Sequence, residues 1–341
     1  MVESLGALFM SKQICLTGIK PTGMPHLGNY IGAIKPAIDM ANSGEYESFY
    51  FIADYHSLIG VHKAQDLKNY TYNVAAAWLA MGLDPAKVTL YRQSDIPEIL
   101  ELNWILSCFT IKGLMNRAHA YKALVQENES NERDQDHGVN MGLFTYPILM
   151  AADILFLKSN VVPVGADQVQ HIEIARDIAQ NFNHNYGEKF VLPKAIVRKD
   201  AKLMVGLDGR KMSKSYNNHI PLFVTSKELK KYINRITTDS SDPTTPKNPD
   251  ESLIFEMFSE FATPEATEQL RDWYLRGIGW GEAKMELHKV LDERFQGPRE
   301  IYNDLMSNQS KIDQILLEGK ERVRPRAQAF LKEIKQSIGV L

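Results

Sequence analysis

Two segments of the chain carry residue types suited to binding a nucleoside triphosphate. The first, PTGMPHLGN, begins at Pro21 and places Thr22 and His26 close to Gly28. Hydroxyl and imidazole groups can donate to phosphate oxygens, and a glycine lets a flat base approach the backbone. The segment precedes a helical pattern, and a helix N-terminus favours anions. For this segment alone, a plain Gly/Pro turn with a solvated histidine is an equal alternative.

The second segment is KMSKS, in which Lys211 and Lys214 stand three residues apart after a turn-forming Asp208-Gly209 pair. Two ammonium groups on a loop suit a triphosphate whose negative charge grows on the leaving group. A basic surface turn is the usual explanation of such a cluster, but chance does not explain this string of five residues. The segment therefore favours a phosphate-binding loop.

A third segment, TYPILMAADILFL, is an apolar helix pattern with a single carboxylate. Tyr146, Met150 and Asp153 are spaced by four and three residues, so they share one helix face. A carboxylate in such a stripe is costly to bury unless it accepts a hydrogen bond. An indole N–H, which only donates, is a natural partner. An aspartate bonded to backbone or paired with an arginine is the alternative left open.

The elements that must position these segments are predicted from the alternation of apolar runs and amphipathic stretches. Strands are predicted at 13–17, 48–53, 87–92 and 161–164, joined by helices. The predicted fold class is α/β, a Rossmann-like doubly wound parallel sheet with a C-terminal all-helical domain. Ligands of such sheets bind beyond the carboxyl ends of the strands, where the first turn lies.

Two polar or turn-rich stretches are predicted to interrupt this pattern. Residues 123–138 show no apolar period and are predicted to be an excursion over the surface. In the C-terminal third, short helix breaks are predicted at 277–281 and at Gly297-Pro298.

Composition limits the remaining classes of protein. With 44% hydrophobic and 24% charged residues among 341, the chain is neither disordered nor collagenous. A net charge of -3 argues against a globally basic nucleic-acid binder, although basic residues cluster at 227–235 and 320–335. Cys15 and Cys108 are too few for a disulfide framework, and both are expected to be buried. No apolar run approaches the ~20 residues of a membrane span, so we expect a cytoplasmic protein. Because the chain has only two cysteines, we also expect no structural metal.

The order of the segments resembles that of class I aminoacyl-tRNA synthetases. HLGN is similar to the HIGH signature, with Asn29 where many members have a second histidine, and KMSKS matches the second signature completely. TYPILMAADIL resembles the block in which tryptophanyl-tRNA synthetases of bacterial type read the indole nitrogen, which implies that role for Asp153. VPVGADQ, residues 162–168, resembles VPVGEDQ of that family, with Ala166 in place of the usual glutamate.

The resemblance implies an enzyme that activates L-tryptophan with ATP and Mg²⁺ and then transfers it to tRNA(Trp). It also implies a homodimer in which one tRNA contacts both subunits. The corresponding division is an N-terminal extension 1–11, a catalytic domain 12–216 ending in the KMSKS loop, and a helical anticodon-binding domain 217–341.

Carried over position by position, the resemblance implies three overlapping sets of site residues. The catalytic set is His26, Thr22, Lys211 and Lys214. The ATP-binding set is Lys20, Pro21, Thr22, Gly28, Asn29, Gly165, Ala166, Asp167, Leu203, Lys211, Met212, Ser213, Lys214 and Ser215. The tryptophan-binding set is Asp153, Tyr146, Met150, His56, Gln168 and Gly18.

Three other functions remain open at the level of sequence. A tyrosine-specific class I synthetase shares the signatures, but a hydroxyl-recognition block is expected in place of MAAD. A nucleotidyltransferase outside the synthetases explains the first turn but not KMSKS with a helical appendage. A catalytically inert tRNA-binding paralogue is disfavoured by the intact lysines and His26.

Overall fold

A parallel sheet forms the centre of the first half of the chain. The computed structural model describes residues 12–197 and 204–341. Its strands are β1 (Gln13–Ile19), β2 (Tyr46–Ile52), β3 (Val88–Arg92), β4 (Val161–Val164) and β5 (Lys194–Val197). They pair in parallel in the order β3-β2-β1-β4-β5. Because the chain winds outward in both directions from β1, the predicted Rossmann-like, doubly wound fold is confirmed.

Helices cover the sheet and make up the C-terminal part of the chain. Those that accompany the strands are α1 (Leu27–Asn29), α2 (Lys35–Ser43), α3 (Asp54–Ser57), α4 (Ala64–Ala80), α5 (Glu98–Cys108), α6 (Lys112–Asn116), α7 (His119–Ser130), α8 (Met141–Leu155) and α9 (Val169–Tyr186). Those that follow are α10 (Ser226–Asn234), α11 (Leu253–Ser259), α12 (Pro264–Arg276), α13 (Trp280–Ser307) and α14 (Gln309–Ser337). None of the helices in the described ranges combines the length and apolarity of a membrane crossing.

Helix α7 corrects the prediction of a surface excursion at 123–138 for residues 123–130, whereas 131–138 form exposed turns as predicted. The partly buried Tyr121, Leu124 and Val125 and the buried Asn128 recur at helical spacing, so they form one face. The predicted excursion began at Ala123 and therefore left out Tyr121, with which this helical period starts. The Asn128 amide donates to two carbonyls of the following turn and thereby ends the helix in a defined loop.

Two further predictions are wrong for reasons of packing. Helix α13 continues through Gly297-Pro298, because Phe295 and Tyr302, seven residues apart, both turn into the core. Cys15 is buried in β1 as expected, but Cys108 is exposed at the end of α5.

The C-terminal helices pack directly against the sheet. Gly319 of α14 lies so close to β3 that a Cβ there would stand 1.8 Å from the Leu90 carbonyl oxygen. One apolar cluster contains both Tyr30 of the first half and Phe295 of α13. The predicted division between 216 and 217 stays a prediction, since the two parts share this core.

Candidate active site

The turn after β1 is fixed by a reciprocal pair of hydrogen bonds between His26 and Asn29. His26 Nδ1 accepts from the Asn29 backbone N–H at 3.3 Å, and Asn29 Oδ1 accepts from the His26 N–H at 3.1 Å. Together they cap α1. Because Nδ1 is an acceptor, the neutral ring carries its proton on Nε2 and can donate there. Burial, together with the nearby His219 and Lys214, lowers the pKa of His26 to about 4, so the ring is neutral near pH 7.

The KMSKS loop rests on this turn. The Gly28 N–H donates to the Met212 sulfur at 3.3 Å, and Lys214 Nζ donates to the Thr22 carbonyl at 2.8 Å. A Cβ on Gly28 would lie 3.0 Å from the His26 ring and 3.4 Å from Met212, so the glycine mainly leaves room for the histidine. Burial lowers the pKa of Lys214. The two signatures, far apart in sequence, therefore form one surface.

Asn218, which follows the KMSKS loop, holds its backbone in shape. The buried Asn218 side chain accepts from the Ser213 N–H at 2.8 Å and donates to the Lys211 carbonyl at 3.2 Å and to Asp208 Oδ1 at 2.7 Å. Hydrogen bonds from Asn218 and Arg210 lower the pKa of Asp208 to about 2. The Lys211 side chain remains exposed to solvent.

The carboxylate of Asp153 on α8 is fully buried and bonded to side chains of two other elements. Gln93, the first residue after β3, donates from Nε2 to both carboxylate oxygens at 2.9 and 2.8 Å. His56 Nε2 lies 2.9 Å from Oδ2. The partners are thus an amide and an imidazole instead of backbone or an arginine. Burial raises the pKa of Asp153, while His56 and Gln93 oppose that rise.

Oδ1 of Asp153 keeps capacity for a further donor. Among the described residues it accepts one hydrogen bond, from Gln93, whereas Oδ2 accepts from Gln93 and meets His56. A carboxylate oxygen can accept about two hydrogen bonds. An N–H that reaches Oδ1 would therefore complete the set without displacing a partner.

A cavity of about 460 Å³ lies beside this network. His56 and Tyr146 line it together with Tyr55, Thr145 and Leu149. Its volume falls in the range of small-molecule pockets. The His56 and Tyr146 rings meet edge to face, with centroids 6.3 Å apart. His56 thus contacts both the cavity and the buried carboxylate.

The segment after β4 forms a tight turn into α9. Residues Ala166–Gln168 make one 3₁₀ turn, with Gly165 at its N-cap. Gln168 Nε2 donates to Asp167 Oδ2 at 3.0 Å, and a Cβ on Gly165 would lie 2.6 Å from Asp167 Oδ1. Gln168 is the N-cap of α9, so Asp167 does not occupy the cap position of that helix.

Comparison with known proteins identifies the family. Residues 10–296 match a family model described as tRNA synthetases class I (W and Y). A tryptophan–tRNA ligase from Neisseria meningitidis is 51% identical over 332 residues, which cover 97% of this chain and 99% of the relative. The chain belongs to the bacterial tryptophanyl-tRNA synthetases.

Further members of this family agree with that assignment. A tryptophan–tRNA ligase from Pseudomonas putida is 50% identical over 328 residues, which cover 95% of this chain and 73% of the relative. The crystal structure of the tryptophanyl-tRNA synthetase from Campylobacter jejuni, complexed with ADP and tryptophan, has a TM-score of 0.88 at 41% identity. That alignment covers 96% of this chain and 99% of the solved one.

For the other residues carried over from the synthetase signatures, the contacts show structural roles or no role. Gly18 is required for packing, because a Cβ there would lie 2.5 Å from the Phe51 ring. The Pro21 carbonyl accepts from Ser57 Oγ at 2.9 Å. Met150 packs against a core cluster, and burial lowers the pKa of Lys20. The ligand-binding roles of these residues stay predictions.

Leu203, implied as an ATP contact, lies outside the described residues. Ala166, where synthetases of this family usually carry a glutamate, offers no polar side chain to a ligand. Ser215 donates its backbone N–H to Ser213 Oγ at 3.2 Å, so both serines shape the loop.

Sequence reasoning missed several residues that the structure adds to this synthetase site. Gln93 had a usable signal, because it follows a predicted strand at the edge where α/β sheets bind ligands. Asn218 had only its nearness to KMSKS as a signal, and His171 and His219 had none, since tertiary packing brings those two to the site. The ring centroid of His219 lies 5.7 Å from that of His26, and its buried Nδ1 has no hydrogen-bond partner in the part of the chain that the structure describes.

Proposed function

We propose that this chain is a tryptophan–tRNA ligase in which Asp153 reads the substrate's indole nitrogen. In the first step a tryptophan carboxylate oxygen attacks the α-phosphorus of Mg²⁺-ATP, and the bond to the β-phosphate breaks. The products are tryptophanyl-adenylate and pyrophosphate. In the second step a terminal ribose hydroxyl of tRNA(Trp) attacks the activated carbonyl carbon and AMP leaves. Membership of the tryptophanyl-tRNA synthetases supports this sequence of reactions.

The single observation that carries tryptophan recognition is the buried, incompletely saturated carboxylate of Asp153 beside an aromatic-lined cavity. Phenylalanine offers no donor to Oδ1, so binding it would leave that buried acceptor short of a partner. A site built to receive an N–H discriminates against rings that lack one much better than an apolar pocket does. Gln93 and His56 support this role because they fix the carboxylate plane.

We assign the phosphates of ATP to the surface where the two signatures meet. His26 Nε2 and the ammonium groups of Lys211 and Lys214 supply donors and positive charge for the pyrophosphate leaving group. Thr22 adds a hydroxyl. Such catalysis is mainly positioning and charge stabilisation, and it needs no protein nucleophile. The closed contact between Lys214 and the Thr22 carbonyl supports a loop that exchanges this contact for phosphate.

The backbone around Gly28, Asn29 and Gly165 is our candidate for holding adenosine. Asn29 uses its side chain in the cap of α1, so its contribution would come from the main chain. Within the described ranges, no group of three or more His, Cys, Asp or Glu side chains is arranged to hold a metal ion. We therefore assign Mg²⁺ to the substrate, bound through the phosphates of ATP.

The proposed tRNA partner requires local positive charge, and α10 offers it. Lys227, Lys230 and Lys231 recur at helical spacing and are exposed. Arg235, just after α10, donates to the Asn217 carbonyl at 2.8 Å, which links this helix to the end of the KMSKS loop. Charging of tRNA(Trp) would place the protein in the cytoplasm.

ATP–pyrophosphate exchange measured with each amino acid in turn, followed by charging of tRNA(Trp), tests the proposal. We expect exchange with tryptophan far above that with tyrosine or phenylalanine, and charging of tRNA(Trp). Exchange with tyrosine as the best substrate would indicate a tyrosine enzyme. A lack of exchange with every amino acid would indicate an inert paralogue.

A further inference from the structure

The chain that follows the KMSKS loop brings a second imidazole, His219, to the surface where the two signatures meet. This segment pairs with the turn after β1 through its main chain. The Leu27 N–H donates to the Ile220 carbonyl at 3.0 Å. The Leu222 N–H donates to the Pro25 carbonyl, also at 3.0 Å. The position of His219 relative to the first signature is therefore fixed by backbone hydrogen bonds that begin one residue after it.

The rings of His219 and His26 lie close together, and Lys214 lies near both. The ring centroids are 5.7 Å apart, and the ring planes are inclined by 54°. After burial, the charge of Lys214 is among the causes that lower the pKa of each ring, so the ammonium group is near both of them. Three nitrogen-bearing side chains from two distant segments therefore border one part of the phosphate surface.

The charges that act on His219 are positive. Burial lowers the pKa of this ring most, and Lys214 and Arg235 lower it further, so the ring is neutral near pH 7. Arg235 is held in place by its hydrogen bond to the Asn217 carbonyl at 2.8 Å. Cations gathered around a half-buried imidazole repel each other in the free chain, whereas a polyanion bound among them would be stabilised.

The surroundings of Nδ1 indicate which nitrogen of His219 carries the proton. Nδ1 is buried and has no hydrogen-bond partner among the described residues. A buried N–H without an acceptor pays the full cost of desolvation, so the neutral ring carries its proton on Nε2. His26 also carries its proton on Nε2, because its Nδ1 accepts from the Asn29 N–H. Both rings can therefore donate from Nε2, and phosphate oxygens accept.

We propose that His219 is a second imidazole donor to the pyrophosphate part of ATP, acting beside His26 and Lys214. This inference rests on the proposed function, because it takes the surface where the two signatures meet as the ATP site. It deepens that function by adding a neutral donor from the segment beyond the KMSKS loop. A hydrogen bond from this ring to an ionised phosphate oxygen is charge-assisted and thus stronger than one between neutral groups.

The test compares ATP with AMP, which keeps the adenosine and the α-phosphate and lacks the pyrophosphate part. Dissociation constants of both nucleotides are measured by calorimetry on the full chain with Mg²⁺ and without tryptophan. For His219→Phe we expect ATP to bind on the order of tenfold more weakly, because a charge-assisted hydrogen bond is lost. AMP should bind within about twofold of wild type, which also shows that the variant is folded.

Two further variants locate the donor, and a third serves as the control. His219→Gln places an amide N–H near the position of Nε2, so we expect it to retain most of the ATP affinity. His219→Asn places its amide near Nδ1 and should match His219→Phe, and it replaces that variant if the latter does not fold. His184→Phe makes the same exchange at an exposed histidine near the end of α9 and should leave both affinities unchanged.

Three results would overturn the role of His219: equal losses for ATP and AMP, an unchanged ATP affinity in His219→Phe, or the same loss in His219→Gln as in His219→Phe. Selective loss of ATP binding with rescue by His219→Gln supports the inference. Failure of the proposed function looks different, because the wild-type chain would then give no ATP–pyrophosphate exchange with tryptophan, whatever the ATP affinities of the variants.

Discussion

At the scale of single residues, two types of group carry the chemistry: buried acceptors that select the amino acid and hydrogen-bond donors that hold phosphate. Asp153 belongs to the first type, and its partners Gln93 and His56 come from the ends of two other chain segments. Lys214 and His26 belong to the second type and meet at one turn. The segments around these residues were found from sequence, because each signature is contiguous. Gln93 was not, since its partners are distant in sequence.

Lys214 is expected to act on the phosphates and not on the amino acid. Lys214→Ala removes the ammonium group that contacts the Thr22 carbonyl, so the charge on departing pyrophosphate loses a partner. We expect adenylate formation to slow on the order of 10²-fold, with the dissociation constant for tryptophan within about twofold of wild type. Pre-steady-state pyrophosphate release measures the rate, with Lys87→Ala as an exposed control. A normal rate would refute the role.

His26 gives stability a defined pH dependence. Its pKa is about 4 in the folded chain and about 6.5 when unfolded, so between these values the unfolded chain binds more protons. The free energy of unfolding contributed by this residue is therefore present above about pH 6.5 and is lost as the pH falls toward 4. His26→Asn can keep an acceptor near Nδ1 without titrating.

Urea unfolding of wild type and His26→Asn at about pH 7 and about pH 5 measures this contribution. We expect the wild type to lose more stability than the variant on acidification. Parallel losses in the two proteins would show that His26 does not titrate in this way. Other histidines with lowered pKa values, such as His171 and His219, are present in both proteins and cancel in the difference.

At the scale of elements, glycines in two long helices have opposite roles. Gly319 of α14 touches the Leu90 carbonyl of β3, whereas a Cβ on Gly297 of α13 would meet nothing within 4 Å. We expect Gly319→Ala to destabilise the chain by about 1–3 kcal/mol through overpacking. Gly297→Ala is the matched control and should stabilise it by about 1 kcal/mol through helix propensity. Chemical unfolding of both variants measures these changes, and a neutral Gly319→Ala would contradict the packing.

The elements themselves were predictable where hydrophobic periodicity was strong. The runs at β1, β2, β3 and β4 gave each of these strands to within two residues, because buried parallel strands are almost wholly apolar. Helix α7 was not predicted because its apolar face begins before residue 123, where the polar segment starts. The prediction interrupted helix α13 at Gly297-Pro298 because this pair is a typical helix breaker. The helix continues because burial of its apolar face on either side outweighs that local tendency.

At the scale of the whole molecule, the net charge of -3 does not show that the two clusters of basic residues differ in role. In the 320–335 cluster, Arg324, Arg326 and Lys335 pair with carboxylates of the first half at 3.0, 2.6 and 2.6 Å. These pairs dock α14 on the first half of the chain and reduce the positive charge left for RNA. The lysines of α10 are therefore the stronger candidates for contact with tRNA.

Exposed apolar side chains of the catalytic half are our candidates for the interface of the homodimer that the family resemblance implies. Trp104 on α5 is 71% exposed, and Leu58, Leu100, Ile111 and Met141 are exposed as well. Such exposure is typical of a protein interface. We expect light scattering to give the mass of a dimer for wild type and of a monomer for Trp104→Glu, because a charge there would be buried without a partner. Trp273→Glu on α12 is the control and should remain a dimer, and an unchanged mass for Trp104→Glu would exclude this face.

The central claim is that the Asp153 carboxylate selects the indole N–H. The most direct measurement is kcat/KM in ATP–pyrophosphate exchange for tryptophan and for 3-benzothienyl-alanine, which replaces the N–H with sulfur and keeps the ring shape. We expect wild type to prefer tryptophan at least on the order of 10²-fold, because the analogue leaves a buried acceptor without its donor. In Asp153→Ala this preference should nearly vanish. Equal use of the two amino acids by the wild-type chain would contradict the account.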